Sequence, residues 1–352
     1  MLLVALGILI KIIVVVSIAL GTVAYLIYIE RKVAAYAQDR IGPNRAGKEL
    51  GIPFGLLQPL ADGAKMVLKE DVIPDYVARP LYMLAPIIAI VAAMIGFAVV
   101  PFGPVGPDQF MNFQIAPNIN IGILYVFAIG SLAVYGVILA GWASNNKYAF
   151  IGALRSSAQL ISYEIPLGMS ILGMVLIAGS LDLNQIINWQ DHTFWGFIPR
   201  WGLFVQPIGF LLFLTSAFAE TNRLPFDLPE SEQELVGGFH TEYSAMKFGM
   251  FFLGEYLHVI TVSYLTVILF FGGWDFPFLD QHQVGFLSAV FKVLVLLGKV
   301  ALMILFIMWV RWTLPRFRYD QLMDLAWKTL IPLALVNLVA TAAIVQLVYS
   351  NH

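Results

Sequence analysis

Long uninterrupted runs of apolar residues recur along the whole of this 352-residue chain. A run of about 20 apolar residues is long enough to cross the hydrocarbon core of a bilayer as an α-helix. A scan for such runs predicts eight spans, at residues 2–29, 81–102, 120–142, 156–179, 203–220, 246–272, 285–310 and 329–349. The pattern predicts an all-α integral membrane protein. No repeat, linker or low-complexity tract divides it, so residues 1–352 form a single polytopic domain.

Between the first two spans, a second pattern with the period of a helix covers Leu56 to Lys69. Its apolar residues fall on one face of a helical wheel, while Asp62, Lys65 and Lys69 share the other face. This predicts an amphipathic helix on the cytoplasmic side. Such a helix lies in the membrane interface or docks on a protein partner, and both placements need the same pattern.

Basic residues are distributed unevenly between the connections that join the spans. Sixteen of the twenty Lys and Arg residues follow spans one, three, five and seven, whereas the opposite connections contain only Arg200. Connections rich in Lys and Arg face the cytoplasm, so both termini are predicted on the outer, periplasmic face. The first span is followed, not preceded, by the basic cluster Glu30-Arg31-Lys32, which indicates a retained helix and not a cleaved signal.

Composition supports a membrane protein and narrows its chemistry. Hydrophobic residues make up 60% of the chain and charged residues 12%, against about 25% charged residues in soluble domains. The absence of cysteine excludes disulfides, thiolate nucleophiles and cysteine-ligated iron–sulfur centres. No basic patch with interleaved aromatic residues is present, so a nucleic-acid partner is not expected.

One stretch contrasts with the apolar background, because seven of the 22 acidic residues lie in the 36 positions from Glu220 to Glu255. A run of charge is usually a solvated surface loop. Here, however, Phe226, Leu228 and Leu235 alternate with the acids. This alternation favours a packed polar funnel that leads from the cytoplasmic face into the membrane.

Two carboxylates are predicted within spans, Glu164 in the fourth and Glu255 in the sixth. A charged side chain at that depth costs about 2.5–3.5 kcal/mol on insertion scales, so each needs a function or a buried partner. They are interpreted either as proton carriers or as members of structural ion pairs. Glu255 and His258 also form half of a di-metal motif of helical bundles. The sequence has no second copy, so no metal site is predicted.

Several longer motifs lie in the cytoplasmic connections and at the ends of the spans. The most distinctive are Glu30-Arg31-Lys32, Asp39-Arg40-Ile41-Gly42-Pro43-Asn44, Ile161-Ser162-Tyr163-Glu164, Ala219-Glu220-Thr221-Asn222-Arg223, Pro225-Phe226-Asp227-Leu228 and Arg316-Phe317-Arg318-Tyr319-Asp320. In identity and order they resemble the H-subunit family of bacterial NADH:quinone oxidoreductase, respiratory complex I, which is homologous to mitochondrial NADH dehydrogenase subunit 1. The resemblance covers almost the whole chain.

This resemblance implies a subunit of a proton-translocating enzyme in the bacterial inner membrane, with quinone as substrate and no redox cofactor or metal of its own. It implies neighbours of two kinds, soluble quinone-reducing subunits and antiporter-like membrane subunits. The residues implied in a quinone tunnel are Glu30, Arg31, Gln38, Arg40, Asp62, Lys65, Phe252 and Tyr256. Those implied in a proton pathway are Arg155, Glu164, Glu220, Arg223, Asp227, Glu230, Glu232, Glu234, Glu242 and Glu255.

Other classes of membrane protein share parts of this pattern. Membrane subunits of energy-converting hydrogenases and of coenzyme F420 dehydrogenases resemble the same motifs, and the intact runs around Arg40 and Glu220 favour the quinone enzyme. A secondary ion transporter would show broken helices at matching positions of two halves. This sequence has no such internal symmetry.

Overall fold

A bundle of long apolar helices forms the protein, in a computed structural model that describes residues 2–104, 114–116, 119–191, 193–194, 198–228, 235–276 and 286–350. The helices are α1 (Leu2–Ala37), α2 (Gln58–Leu68), α3 (Arg79–Ile95), α4 (Gly122–Ala143), α5 (Lys147–Ala178), α6 (Leu183–Gln190), α7 (Gly202–Val205), α8 (Pro207–Glu220), α9 (Ala245–Phe270), α10 (Phe286–Thr313), α11 (Tyr319–Asp324) and α12 (Ile331–Ser350). Two-residue strands, β1 (Thr193–Phe194) and β2 (Ile198–Pro199), pair antiparallel. The predicted all-α membrane fold is confirmed.

Seven helices of the described chain are long and apolar enough to cross a membrane. The predicted fifth span is shorter, because the chain leaves the helix at Gln206 and restarts at Pro207. Proline has no backbone N–H and disfavours helical geometry in the residue before it. The resulting α8 has 14 residues, about 21 Å of helix at 1.5 Å per residue. Eight spans therefore stay a prediction.

The predicted amphipathic helix is present as α2, within one or two residues of each predicted end. It lies against α1 and α9. None of its residues is buried, and its apolar side chains Leu60 and Leu68 are exposed. The apolar face of α2 is thus available to a lipid interface or to another protein.

Helix α9 lies at the centre of the bundle and carries much of the site. Every residue from 259 to 270 is buried, whereas most residues of α1 and α12 are exposed. Apolar side chains exposed on the outer helices suit contact with lipid tails, since the bilayer core offers no water. The buried position of α9 fixes the orientation of Glu255, Tyr256 and His258 on its first half.

The chain between α8 and α9 folds back onto α5, and a close backbone contact sets its height. A Cβ built on Gly152 of α5 would lie 2.7 Å from the Cα of Gly238. Gly238 begins a 3₁₀ turn (Gly238–His240) that brings Phe239 and His240 against the bundle. Glycine at position 152 therefore allows this turn to pack directly on the helix backbone.

We expect Gly152→Ala to destabilise the protein by about 1–3 kcal/mol, because a methyl group there overlaps backbone that cannot rotate away. The measurement is the midpoint of thermal inactivation of the solubilised complex. Gly168→Ala is the matched control, since it lies on the same helix and its added methyl meets no atom within 4 Å. Equal midpoints for the two variants would contradict the expectation.

Candidate functional site

A groove opens between the second half of α1, the first half of α9 and the end of α10. Its volume is about 560 Å³. The residues that line it are Ile27, Glu30, Arg31, Ala34, Ala35, Arg40, Gly42, Phe252, Tyr256, Arg311 and Trp312. Five of the eight residues implied in a quinone tunnel are among them. Charged and aromatic side chains thus meet an aliphatic wall in one place.

The other three residues implied in the tunnel lie beside the groove. Asp62 of α2 accepts a hydrogen bond from Arg31 at 2.7 Å and is oriented by Gln58 at 2.9 Å. Gln38 accepts a hydrogen bond from Arg40. Lys65 is exposed on α2 and does not line the groove. Asp62 and Gln38 therefore position the two arginines of the groove wall.

At the inner end of the groove, Glu30 is buried among several donors. Its carboxylate accepts hydrogen bonds from Arg223 at 3.0 and 3.1 Å, from the Tyr256 hydroxyl at 2.5 Å, and from Arg311. Paired charges and satisfied acceptors offset the cost of removing a carboxylate from water. The order of these groups along three helices and a loop holds Glu30 in one orientation.

Arg223 continues from this cluster toward the other side of α9. Its Nε lies 2.9 Å from a carboxylate oxygen of Glu255, and its guanidinium lies 4.1 Å from the centre of the Tyr256 ring. The side chain is 3% exposed. We name the set Glu30, Arg223 and Glu255 the arginine bridge. It joins a residue implied in the tunnel to one implied in the proton pathway.

Burial alone would lower the pKa of the Arg223 guanidinium, but the carboxylates of Glu255 and Glu30 more than offset this and raise it. Arg223 therefore stays protonated at any physiological pH. The bridge has a fixed positive charge at its centre. Any change of charge within it has to occur on the carboxylates.

Beyond the bridge lies a second space, the carboxylate cavity, of about 90 Å³. Its titratable lining residues are Glu164, Glu220, His240, Glu255 and His258. Glu164 comes from α5, Glu220 from the end of α8, and Glu255 and His258 from successive turns of α9. Three of the carboxylates implied in a proton pathway thus converge, although they are spread over 92 positions of the chain.

The cavity contains two histidines that the sequence reasoning did not assign to it. His258 Nε2 lies 3.2 Å from a carboxylate oxygen of Glu220. His240 packs edge-on against Phe239 and Phe248, and burial lowers its pKa to about 4, so it is neutral at pH 7. The spacing of Glu255 and His258 was the available signal for His258, but it was weighed only as a metal motif.

The remaining residues implied in the proton pathway that the structure describes lie outside the cavity lining. Asp227 is paired with Arg316 at 3.1 Å, and Arg155 lies over the Tyr319 ring at 5.5 Å. Glu242 accepts hydrogen bonds from Tyr76 and Asn146. In these positions they tie the cytoplasmic connections together. Glu230, Glu232 and Glu234 lie outside the described residues.

A buried glutamine positions the loop that begins with Glu220. Gln159 of α5 donates hydrogen bonds to the carbonyl oxygens of Ala219 and Phe226, at 2.8 and 2.9 Å. It closes the turn that carries Arg223 toward Glu30. On the far side, the rings of Tyr82 and Tyr243 stack with centroids 4.2 Å apart. The acidic stretch described by the structure is therefore packed, as the alternation of its apolar and acidic residues predicted.

Comparison with known proteins gives a consistent result. A model of the family described as NADH dehydrogenase matches residues 10–342. The first of two NADH-quinone oxidoreductase H subunits of Cytophaga hutchinsonii is 48% identical over 339 residues, covering 94% of this chain and 94% of that protein. The H subunit of Thermomicrobium roseum is 47% identical over 93% of both chains. The H subunit of Rhodospirillum rubrum is 47% identical over 92% of this chain and 89% of its own.

These matches confirm the resemblance that the sequence motifs carried, and they span nearly the full length of both partners. The chain therefore belongs to the NADH dehydrogenase family, as a multi-pass membrane protein of the H-subunit type in an NADH-quinone oxidoreductase complex.

Proposed function

We propose that the groove forms part of a quinone-binding tunnel and that the carboxylate cavity begins a proton pathway driven by quinone reduction. The observation that carries this proposal is the arginine bridge. One buried guanidinium binds Glu30, on the groove side, and Glu255, on the cavity side. The two spaces are therefore connected by charge as well as by position.

The groove has the chemistry that a quinone needs. Its volume of about 560 Å³ lies within the range of roughly 300–1,000 Å³ found for small-molecule sites. Ile27, Ala34 and Phe252 offer an apolar wall for an isoprenoid tail. Arg40 and Tyr256 offer N–H and O–H donors for the carbonyl oxygens of a headgroup. Electrons would reach the quinone from a partner subunit.

The cavity has the chemistry that proton transfer needs. Glu164, Glu220 and Glu255 interact electrostatically with His258, and Glu164 also with Glu220. Carboxyl groups that interact this strongly titrate as a set, so that adding a charge nearby redistributes protons among all of them. A proton taken up at one carboxyl is then released from another.

Coupling follows from the shared guanidinium. Reduction of a quinone in the groove changes the charge beside Glu30, and Arg223 then interacts more or less strongly with Glu255. A carboxylate that loses part of its cationic partner gains a proton more readily. The bridge therefore converts chemistry in the groove into protonation in the cavity.

The test of this proposal is Glu255→Gln, which removes one titratable group and keeps its shape. Arg223 retains both hydrogen bonds to Glu30, so we expect the complex to assemble. Coupled quinone reduction and proton pumping are expected to fall by about tenfold or more, a change of at least about 1.4 kcal/mol in the barrier. The measurements are quinone reductase activity and acidification in membrane vesicles.

Asp182→Asn is the control for Glu255→Gln. Asp182 is also buried, but it caps α6 by accepting a hydrogen bond from the backbone N–H of Asn184. Asparagine caps equally well, so this loss of a buried carboxylate leaves pumping unchanged. Normal pumping in assembled Glu255→Gln would contradict the proposal.

Arg40→Ala tests the groove separately. We expect quinone reduction to fall more than assembly, because the guanidinium lines the groove and its planar fork fixes the geometry of its hydrogen bonds. Arg45→Ala, in the same connection and exposed, is the matched control. Equal activity per assembled complex in both variants would remove Arg40 from the proposed tunnel.

We also propose a location and neighbours. The excess of Lys and Arg in alternate connections supports an inner-membrane protein with both termini on the periplasmic face. The exposed leucines of α2 and the nearby arginines of the groove suit a docked soluble subunit that reduces quinone. Antiporter-like membrane subunits fit the exposed apolar helices. The chain alone would neither bind nor reduce quinone as the complex does.

A further inference from the structure

His258 lies at the junction of two spaces. It lines the carboxylate cavity, and together with Glu220 it also lines a smaller cavity of about 20 Å³. The smaller cavity runs between α3, α4, α5, α8 and α9 and is otherwise walled by apolar or small side chains such as Gly96, Val126 and Phe213. Glu220 and His258 are therefore the titratable groups on the inner edge of the carboxylate cavity.

The groups around the imidazole come from four parts of the chain. Glu220 at the end of α8 lies 3.2 Å from Nε2. Glu255, one turn earlier on α9, and Glu164 of α5 interact with the ring electrostatically. His240 lines the same cavity from the 3₁₀ turn, and α3 and α4 contribute no charged or titratable side chain to its lining. Three carboxylates thus face one imidazole.

We propose that His258 is a proton-relay residue that passes protons between Glu220 and the pair Glu164 and Glu255. This inference rests on the proposed proton pathway and assigns to it a member that is not a carboxylate. An imidazole suits this role because it binds a proton at one ring nitrogen and releases one from the other. A carboxylate chain without it would need its members closer together.

The step balances without any co-reactant. Glu220 in its acid form donates its proton to Nε2 of His258, so that an O–H bond breaks and an N–H bond forms. The imidazolium then releases a proton, directly or through water, to the carboxylate of Glu255 or Glu164, and the ring is neutral again. No electrons move. The distance of 3.2 Å is at the long end of the range of about 2.6–3.2 Å for direct transfer.

The experiment compares His258→Gln and His258→Lys in the complete complex in membrane vesicles. Glutamine removes the titratable group, and lysine keeps a positive charge beside Glu220 but holds its proton. We expect both to assemble, and both to lower pumping-coupled quinone reduction by about tenfold or more, since positioned proton donors and acceptors contribute about 10²–10⁴-fold. If His258 only supplied a positive charge to Glu220, lysine would restore coupling, and that result would overturn the proposal.

A second measurement uses chemical rescue and keeps the proposal testable if either variant assembles poorly. In His258→Ala, added imidazole is expected to restore part of the coupled rate, and a series of substituted imidazoles should restore it in proportion to their pKa values. A structural gap filled by any ring of the right size would show no dependence on pKa. That outcome would also overturn the proposal.

Ser263→Ala is the control on the same helix. Its hydroxyl is buried and donates only to the carbonyl of Val259, and the residue lines neither cavity. The failure of this inference is distinguishable from failure of the proposed pathway. Normal pumping in His258→Gln with impaired pumping in Glu255→Gln removes His258 alone, whereas normal pumping in both removes the pathway.

Discussion

Replacing Arg223 with methionine is expected to prevent stable assembly of the complex. The side chain is 3% exposed and separates two carboxylates, Glu30 and Glu255. Methionine fills a similar volume but leaves these two acids facing each other in a buried site, with Arg311 as a partner of Glu30 only. Removing one member of a buried ion network costs about 3–5 kcal/mol. That is a large part of the stability of most domains.

The measurement is the amount of this chain in assembled complex, by native gel and immunoblot of membranes. Arg45→Met, an exposed position, serves as the control for the substitution itself. A combined variant that carries Arg223→Met, Glu30→Gln and Glu255→Gln should recover part of the assembly, because it no longer buries unpaired charge. Wild-type levels of assembled complex in Arg223→Met would show that the bridge does not stabilise the fold.

How far the sequence predicted the fold depends on how local each signal is. The amphipathic pattern around Leu57 and Leu60 is complete within eleven residues, and α2 formed where it was predicted. The end of α1 was predicted eight residues too early, because a hydropathy scan stops at Glu30 while the helix continues to Ala37. Glutamate, arginine and lysine are good helix formers whatever their polarity.

Candidate site residues show the same dependence. Glu30 and Tyr256 could be named from motifs, but the hydrogen bond of Arg311 to Glu30 joins positions 281 apart in the chain. Nothing local marks such a pair. Glu242 lies in the acidic stretch by sequence, yet the structure uses it to hold Tyr76 and Asn146. Proximity along the chain therefore grouped residues that the packing separates.

The ion-pair interpretation of Glu164 also needed the structure to decide it. That interpretation placed an arginine or lysine beside the buried carboxylate. In the described part of the protein, no ion pair or hydrogen bond to the Glu164 side chain is present, and the charged groups that act on it are Glu220 and His258. Glu255, by contrast, has Arg223 at 2.9 Å. The two intramembrane glutamates are therefore not equivalent.

This difference makes Glu164→Gln the sharpest test of proton transfer through the cavity. Glutamine strands no cation there, so assembly and thermal stability are expected to stay at the wild-type level. Coupled turnover is expected to fall by about tenfold or more, because the substituted side chain no longer accepts or releases a proton. Glu164→Asp keeps the titratable group and should retain part of the rate. Quinone reductase activity and acidification are measured per assembled complex, and normal pumping in Glu164→Gln would exclude Glu164 from the pathway.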